Sequence, residues 1–184
     1  MWSVWRPIYR WTWAQAQKSS YEHAAEWLKG KKTRVLDVGT GTGEYIVLLP
    51  IGNRYTFTDI HQASLDKAKA RAQKYLNDAV FDFQKISAEE ALEKNPEMDV
   101  ILMVHVISVI GNHEDLIRKA MKALKPGGSL LVYINRFSRS LAMLDNPVLL
   151  GLGFKLINVD AVNVPHSRNK VGWMNECYEF KKQG

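Results

Sequence analysis

Three glycines at alternate positions, Gly39, Gly41 and Gly43, follow a short apolar run that carries one acid, Asp37. An amphipathic segment, 44–49, comes directly after them. The order is that of a strand, a tight turn and a helix start. An open parallel sheet builds a nucleotide site in this way, at the carboxyl end of its first strand. Glycine suits such a turn because it takes φ > 0 at little cost and lets a ligand approach the bare backbone. The spacing is G-x-G-x-G. The dinucleotide fingerprint requires Gly or Ala at 44, where this chain has Glu44. No Lys-Ser/Thr pair follows, which excludes a phosphate-gripping loop. Asp37 repels phosphate and suits a cationic amino-acid moiety. A second strand-like run, 55–58, ends in Asp59, and an acid about 20 residues after such a turn commonly bonds ribose hydroxyls.

These residues need strands to hold them, and the pattern supplies strands alternating with helices. Strands are expected at 34–38, 55–58, 80–85, 100–104 and 130–135. Helices are expected at 43–49, 64–76, from Ala88, and at 113–124. Leu65, Ala68, Ala72 and Leu76 fall on one helical face, and so do Leu116, Ala120 and Leu124. Such alternation implies a parallel sheet with right-handed crossovers. The rhythm then changes. A strand at 155–164, a turn at 165–169 and a last strand at 171–180 read as an antiparallel hairpin.

Val35-Leu36-Asp37-Val38-Gly39-Thr40-Gly41-Thr42-Gly43 with Thr58-Asp59-Ile60 resembles the class I S-adenosylmethionine-dependent methyltransferases. Ser87-Ala88-Glu89, Met98 to His105, and Leu124-Lys125-Pro126-Gly127-Gly128 continue the resemblance in the family's order, over roughly residues 32–180. The resemblance implies an α/β, Rossmann-like seven-stranded sheet. That sheet is mostly parallel with an antiparallel last strand, carries helices on both faces and has an N-terminal helical cap. It divides the chain into a cap, 1–30, and a methyltransferase domain, 31–184.

The resemblance also implies S-adenosyl-L-methionine as cofactor. Asp37, Gly39, Thr40, Gly41 and Gly43 would hold its methionine end, and Asp59 its ribose diol. Ile60 would pack on the adenine. Ser87 stands where many members have Asp; its oxygen and the Ala88 N–H would meet the adenine edge. Val104 and His105 would lie beside the reactive methyl. With an ordinary pKa near 6.5, a neutral His105 could take a proton from the attacking group. It could equally serve only as pocket wall. Tyr9 and Tyr21, in the segment that closes over the site in the family, are substrate-side candidates. No pair of histidines or acids has metal-ligand spacing, so no metal is expected.

Residues 1–30 hold five of the six tryptophans: Trp2, Trp5, Trp11, Trp13 and Trp27. A helix is expected over 7–18. A second starts at Ser19-Ser20-Tyr21-Glu22, which has the form of a capping box, and Gly30 ends it. Trp5, Tyr9, Trp13 and Ala16 share one side, flanked by Arg6 and Arg10. This helix is either a cap with its aromatics buried over the site or an interfacial helix whose arginines reach anionic lipid. The two readings are compatible.

The chain has 184 residues, 24 % charged and 46 % hydrophobic, ordinary for one soluble globular domain. A single cysteine, Cys177, excludes a disulfide framework and fits a reducing compartment. No signal peptide is visible and no apolar run is long enough to span a bilayer. The expected location is cytoplasmic, peripheral on the inner face of a membrane if residues 1–18 bind anionic lipid. The net charge of +6 comes mostly from lysines scattered over expected helix faces. The residues after the fourth strand, Val104-His105-Val106-Ile107, lack the Asn/Asp-Pro-Pro-Tyr/Phe of enzymes that methylate base amines, which argues against nucleic acid. A small apolar or amphiphilic acceptor fits best. The compact build also resembles bacterial phospholipid N-methyltransferases. Two other readings stay open: a non-catalytic S-adenosylmethionine-binding partner subunit, and a nucleic-acid methyltransferase using the basic surface.

Overall fold

The Val35-to-Val38 run forms a fully buried central strand, β1 (Arg34–Val38), in the computed structural model. The structure describes residues 17–76, 79–108, 110, 112–135, 162, 164–172 and 175–183. Apolar residues on both sides of β1 are what a parallel strand covered on both faces requires. Its neighbours are β2 (Arg54–Asp59) and β4 (Met98–Val104), both parallel to it. β3 (Val80–Lys85) extends the sheet beyond β2, and β5 (Leu124–Asn135) extends it beyond β4. β7 (Asn175–Lys181) pairs antiparallel with β5, and β6 (His166–Val171) pairs antiparallel with β7. The sheet order is β3-β2-β1-β4-β5-β7-β6, with only β7 reversed. This is the expected Rossmann-like architecture.

The sheet separates two apolar layers. On one face Leu36, Ile101, Met103, Leu130 and Val132 meet α3 (Ala88–Lys94) and α4 (His113–Ala123) through Leu92, Leu116, Ile117 and Ala120. On the other, Val35, Phe57, Leu102, Leu131 and Tyr133 meet α2 (Gln62–Tyr75) through Ala68 and Ala72, and a helix over 17–28, α1, through Ala24 and Leu28. Asn112 caps α4 by accepting from the Asp115 amide at 3.3 Å.

Three expectations need correction. The helix expected over 43–49 is only a 3₁₀ turn, Glu44–Leu48. Gly43 precedes it in the left-handed region, φ 66°, and a Cβ there would lie 2.5 Å from Ile46 and 2.8 Å from Ala68. α1 runs without a break through Ser19 and Ser20, so these serines are not a helix start. Their hydroxyls instead bond across to the sheet: Ser19 donates to the Val171 carbonyl at 3.2 Å and accepts from Asn175 at 3.0 Å. Gly30, at φ 72°, lies just past its end as expected. Finally, residues 166–169 lie inside β6, and the hairpin turns at Gly172. Gly172 takes φ 64°, which proline and serine cannot supply at comparable cost. The helix expected over 7–18 lies largely outside the described residues, as does most of the strand expected at 155–164.

Gly172 also abuts α1: a Cβ there would lie 2.8 Å from the Ser19 hydroxyl. Gly172→Ala should therefore lower unfolding free energy by at least about 1 kcal/mol, combining left-handed strain with the clash. Urea denaturation measures this, and an unchanged midpoint would contradict the turn assignment.

Candidate functional site

The sheet order reverses between β1 and β4, and the loops after both strands meet there. Ligands of open α/β sheets bind at such a point, outside the carboxyl ends of the strands. Gly39, Gly41 and Gly43 have φ of 73°, 59° and 66°. A Cβ on Gly39 would lie 2.2 Å from Cγ2 of Val106, so the loop after β1 presses directly on the turn after β4. At Gly41 a Cβ would meet nothing within 4 Å. There the bare backbone faces open space.

Neighbouring elements fix this loop. The Thr40 amide donates to the Thr58 carbonyl at 2.8 Å. The Gly41 amide donates to Asp59 Oδ2 at 2.9 Å, while the His61 amide donates to Asp59 Oδ1 at 2.8 Å. The Arg71 guanidinium on α2 bonds the Thr42 carbonyl. Asp59 is thus locked against the loop by an amide at each oxygen, in hydrogen-bonding reach of the region beside Gly41.

Asp37 is 1 % exposed. The Thr40 hydroxyl donates to its carboxylate, and the Thr58 hydroxyl donates to its carbonyl at 2.9 Å. Among the described residues no Lys, Arg or His forms an ion pair with it. Burial raises its pKa to about 6. Thr40 and Tyr45 oppose that rise and the charge of Asp59 adds to it. The loop therefore surrounds a buried, uncompensated acid.

Val104 ends β4 opposite Tyr133 of β5. His105 follows in the left-handed region, φ 60°, uncommon for a residue with a Cβ. Its amide donates to the Tyr133 carbonyl at 3.0 Å, and its Nε2 lies 3.1 Å from the Ser20 hydroxyl on α1. Burial lowers its pKa to about 4, so the ring is neutral near pH 7. Tyr21 stacks on Tyr45, centroids 5.1 Å apart, and donates to Gln17 at 2.7 Å. Ile60 is 56 % exposed beside Asp59. Ser87 caps α3: its Oγ accepts from the Glu90 amide at 3.2 Å, and Glu90 accepts in return from the Ser87 amide. Ala88 starts that helix, where an N–H has no intrahelical partner. Tyr9 lies outside the described residues.

Four participants were not singled out from the sequence. Val106 and Arg71 carry no local signal, because their contacts bridge the glycine loop to distant elements. Ser20 read as part of a cap. Tyr45 sits in an amphipathic segment and reads as core.

Asp37 and His105 both predict measurable behaviour. A carboxyl whose folded pKa lies above its unfolded value costs stability as pH rises from about 4 to about 6, and the cost is constant above that. Asp37→Asn should raise unfolding free energy at pH 8 by about 1–3 kcal/mol, with no gain at pH 4. Denaturant titrations at the two pH values decide it; equal effects at both would be contrary. At His105, Asn tolerates φ 60° and a β-branched residue does not. His105→Val should cost about 1–2 kcal/mol more than His105→Asn by the same assay, and equal midpoints would argue against the strained conformation.

A methyltransferase-domain family profile matches residues 36–130. A lovastatin diketide synthase from Aspergillus terreus is 31 % identical over 116 residues, 56 % of this chain and 4 % of the synthase. A phosphatidylethanolamine N-methyltransferase from Cereibacter sphaeroides is 22 % identical over 132 residues, 72 % of this chain and 64 % of that protein. The chain thus spans less than two thirds of the length of either curated relative. Among solved structures, the N-methyltransferase NodS from Bradyrhizobium japonicum, in complex with S-adenosyl-l-homocysteine, has the same fold. Its TM-score is 0.63 at 15 % identity, covering 97 % of this chain and 89 % of NodS. A glycine loop at the β1–β4 junction, an acid ending β2 and a profile over more than half of the chain agree: this chain belongs to the methyltransferase-domain family, of the class I S-adenosylmethionine-dependent kind.

Proposed function

We propose that the protein transfers a methyl group from S-adenosylmethionine to a small apolar or amphiphilic acceptor, with the amine of a phospholipid headgroup as the favoured case. One observation carries the cofactor half of this reading. Asp37 is a buried carboxylate with no cationic partner among the described residues, beside a loop whose backbone at Gly41 is open. Burying an unpaired charge is costly. A ligand that brings an amino group to this loop offsets that cost, and S-adenosylmethionine carries one on its methionine end. The residues present fit it.

The cofactor supplies a methyl group already activated on a sulfonium, so transfer is an in-line displacement that needs mainly alignment. Asp37 and the Gly39–Gly43 backbone take the amino-acid end. Asp59, held by two amides, presents its remaining lone pairs to the ribose diol. Ile60 offers an exposed apolar surface to the adenine. The Ala88 N–H meets the ring edge, with Ser87 beside it. Val104 and His105 face the acceptor side. His105 is neutral and already tied to Ser20, which supports a role as a hydrogen-bonding wall that orients the acceptor. Tyr21 and Tyr9 belong to the same side.

The acceptor rests on weaker support. The Cereibacter relative is by name a phosphatidylethanolamine N-methyltransferase, and residues 1–18 are rich in tryptophan and arginine. Peripheral contact with an anionic membrane through that segment would bring a lipid amine to the site. Among the described residues no helix is long and apolar enough to cross a membrane.

Calorimetric titration with S-adenosylmethionine and S-adenosylhomocysteine tests the cofactor. Binding should be micromolar, and Asp59→Ala should weaken it at least about tenfold, roughly 1.4 kcal/mol. Equal affinity in the variant would refute the ribose assignment. Methyl transfer from labelled cofactor to liposomes containing phosphatidylethanolamine and an anionic lipid tests the acceptor. Transfer should fall when residues 1–16 are deleted; no transfer to any lipid amine would rule out the phospholipid reading while leaving the cofactor reading intact.

A further inference from the structure

Tyr45 lies in the 3₁₀ turn after the glycine loop, with only 3 % of its surface exposed. Other buried or partly buried tyrosines have a partner for the hydroxyl. Tyr21 bonds Gln17, Tyr55 bonds the Pro50 carbonyl, Tyr133 bonds His23 and Tyr178 bonds Glu176. The Tyr45 hydroxyl has none among the described residues. A buried hydroxyl left unpaired is destabilising, and phenylalanine would fill the same space without that cost. The free fold therefore gains no hydrogen bond from this hydroxyl among the described residues.

Its surroundings show what it could serve. Tyr21 stacks over the ring at an interplanar angle of 17°. Burial first, and then the nearby charge of Asp37, hold the Tyr45 hydroxyl's pKa well above its ordinary value. The two groups are close enough to sense one another, yet the hydroxyl is left without a hydrogen-bond partner among the described residues. The other titratable groups facing this pair are Asp59 at the end of β2, Tyr55 in β2, Tyr21 on α1, and Glu44, which acts through Tyr21.

We propose that Tyr45 is a positioning residue of the cofactor site: its buried hydroxyl closes a hydrogen bond onto the Asp37 carboxylate when a cationic amino group enters the glycine loop. The inference rests on the cofactor reading above. An arriving ammonium fixes Asp37 in its ionised form, and a fully charged carboxylate is a stronger acceptor than a partly protonated one. Thr40 already bonds one carboxylate oxygen, so a second donor leaves the carboxylate a single orientation toward the amino group. Tyr21, stacked on Tyr45, links that orientation to α1.

The test is Tyr45→Phe, with Tyr55→Phe as the contrasting variant because its hydroxyl is paired. S-Adenosylhomocysteine carries the amino-acid end, and 5′-methylthioadenosine lacks it. Tyr45→Phe should melt at or above the wild-type temperature and bind S-adenosylhomocysteine roughly tenfold more weakly, with methylthioadenosine affinity unchanged. Affinity for S-adenosylhomocysteine should fall on acidification as Asp37 protonates. The total fall should be smaller in Tyr45→Phe, because a donor that favours the charged form in the complex has been removed. Tyr55→Phe should lose stability and keep wild-type affinities. Equal binding of S-adenosylhomocysteine by wild type and Tyr45→Phe would overturn the role of Tyr45 alone. So would an unfolded Tyr45→Phe, since the hydroxyl would then be needed by the free fold. No binding of either ligand by the wild type would overturn the cofactor reading and this inference with it.

Discussion

A negative charge at the end of the central strand, shut between two apolar layers without a counter-ion, is the constraint around which the rest of the site is arranged. Water cannot solvate Asp37 and no cation among the described residues neutralises it. Polar side chains do what they can: Thr40 reaches the carboxylate, Thr58 the carbonyl, and Tyr45 stands close without a bond. The loop is bare at Gly41, whose φ of 59° favours glycine and beside which a Cβ would meet nothing within 4 Å. It must also be rigid, which explains why β2, α2 and the turn after β4 all grip it. Strength at the rim and instability at the centre are complementary, since a site made fully comfortable when free would gain little from its ligand.

α1 is held differently from the other helices. Ala24 and Leu28 bury into the core, but its first turns are fastened by hydroxyls and imidazoles. Ser19 reaches the hairpin, Ser20 reaches His105, and His23 Nδ1 lies 2.9 Å from the Tyr133 hydroxyl. Its apolar end is near the amino end of β2, where Asn53 bonds the Leu28 carbonyl. Its polar end is at the carboxyl edge, beside the site. Hydrogen bonds are directional where apolar contact is not, so the helix has one register on the sheet, and Tyr21 is delivered onto Tyr45.

What could be read from the residues divides along the same line. β1, its glycines and the acid ending β2 were legible because each is a local consequence of backbone geometry: an apolar run, a positive φ, a strand end. The burial of Leu65, Ala68 and Ala72 followed from helical periodicity. Ser19 and Ser20 misled because a serine that caps a helix and one that bonds to a neighbouring sheet look the same in one dimension. The hairpin was displaced because Pro165 to Asn169 have turn composition, while the tertiary contact that selects Gly172 lies more than a hundred residues away on α1. Ser87 was legible as a position at the β3–α3 junction, but not in its commitment to the Glu90 amide. The close approach of Ala68, on another helix, to Gly43 was likewise invisible in the local sequence.

The seam between β4 and β5 divides the sheet into two parts with different obligations. Strands β1 to β4 and their loops hold everything that touches Asp37 and Asp59. β5, β7 and β6 hold Tyr133, Val171 and Asn175, which fasten α1 from one side, while His105, Asn53 and Tyr45 meet it from the other. The two parts are joined by parallel pairing of β4 with β5, which depends on backbone rather than on side-chain identity. The second part is as tightly packed as the first, with Leu130, Val132, Tyr133, Tyr178 and Phe180 all buried. A change among the residues that fasten α1 to this part would therefore be felt first at Tyr21, which α1 carries onto Tyr45, before it reached the acids of the other part.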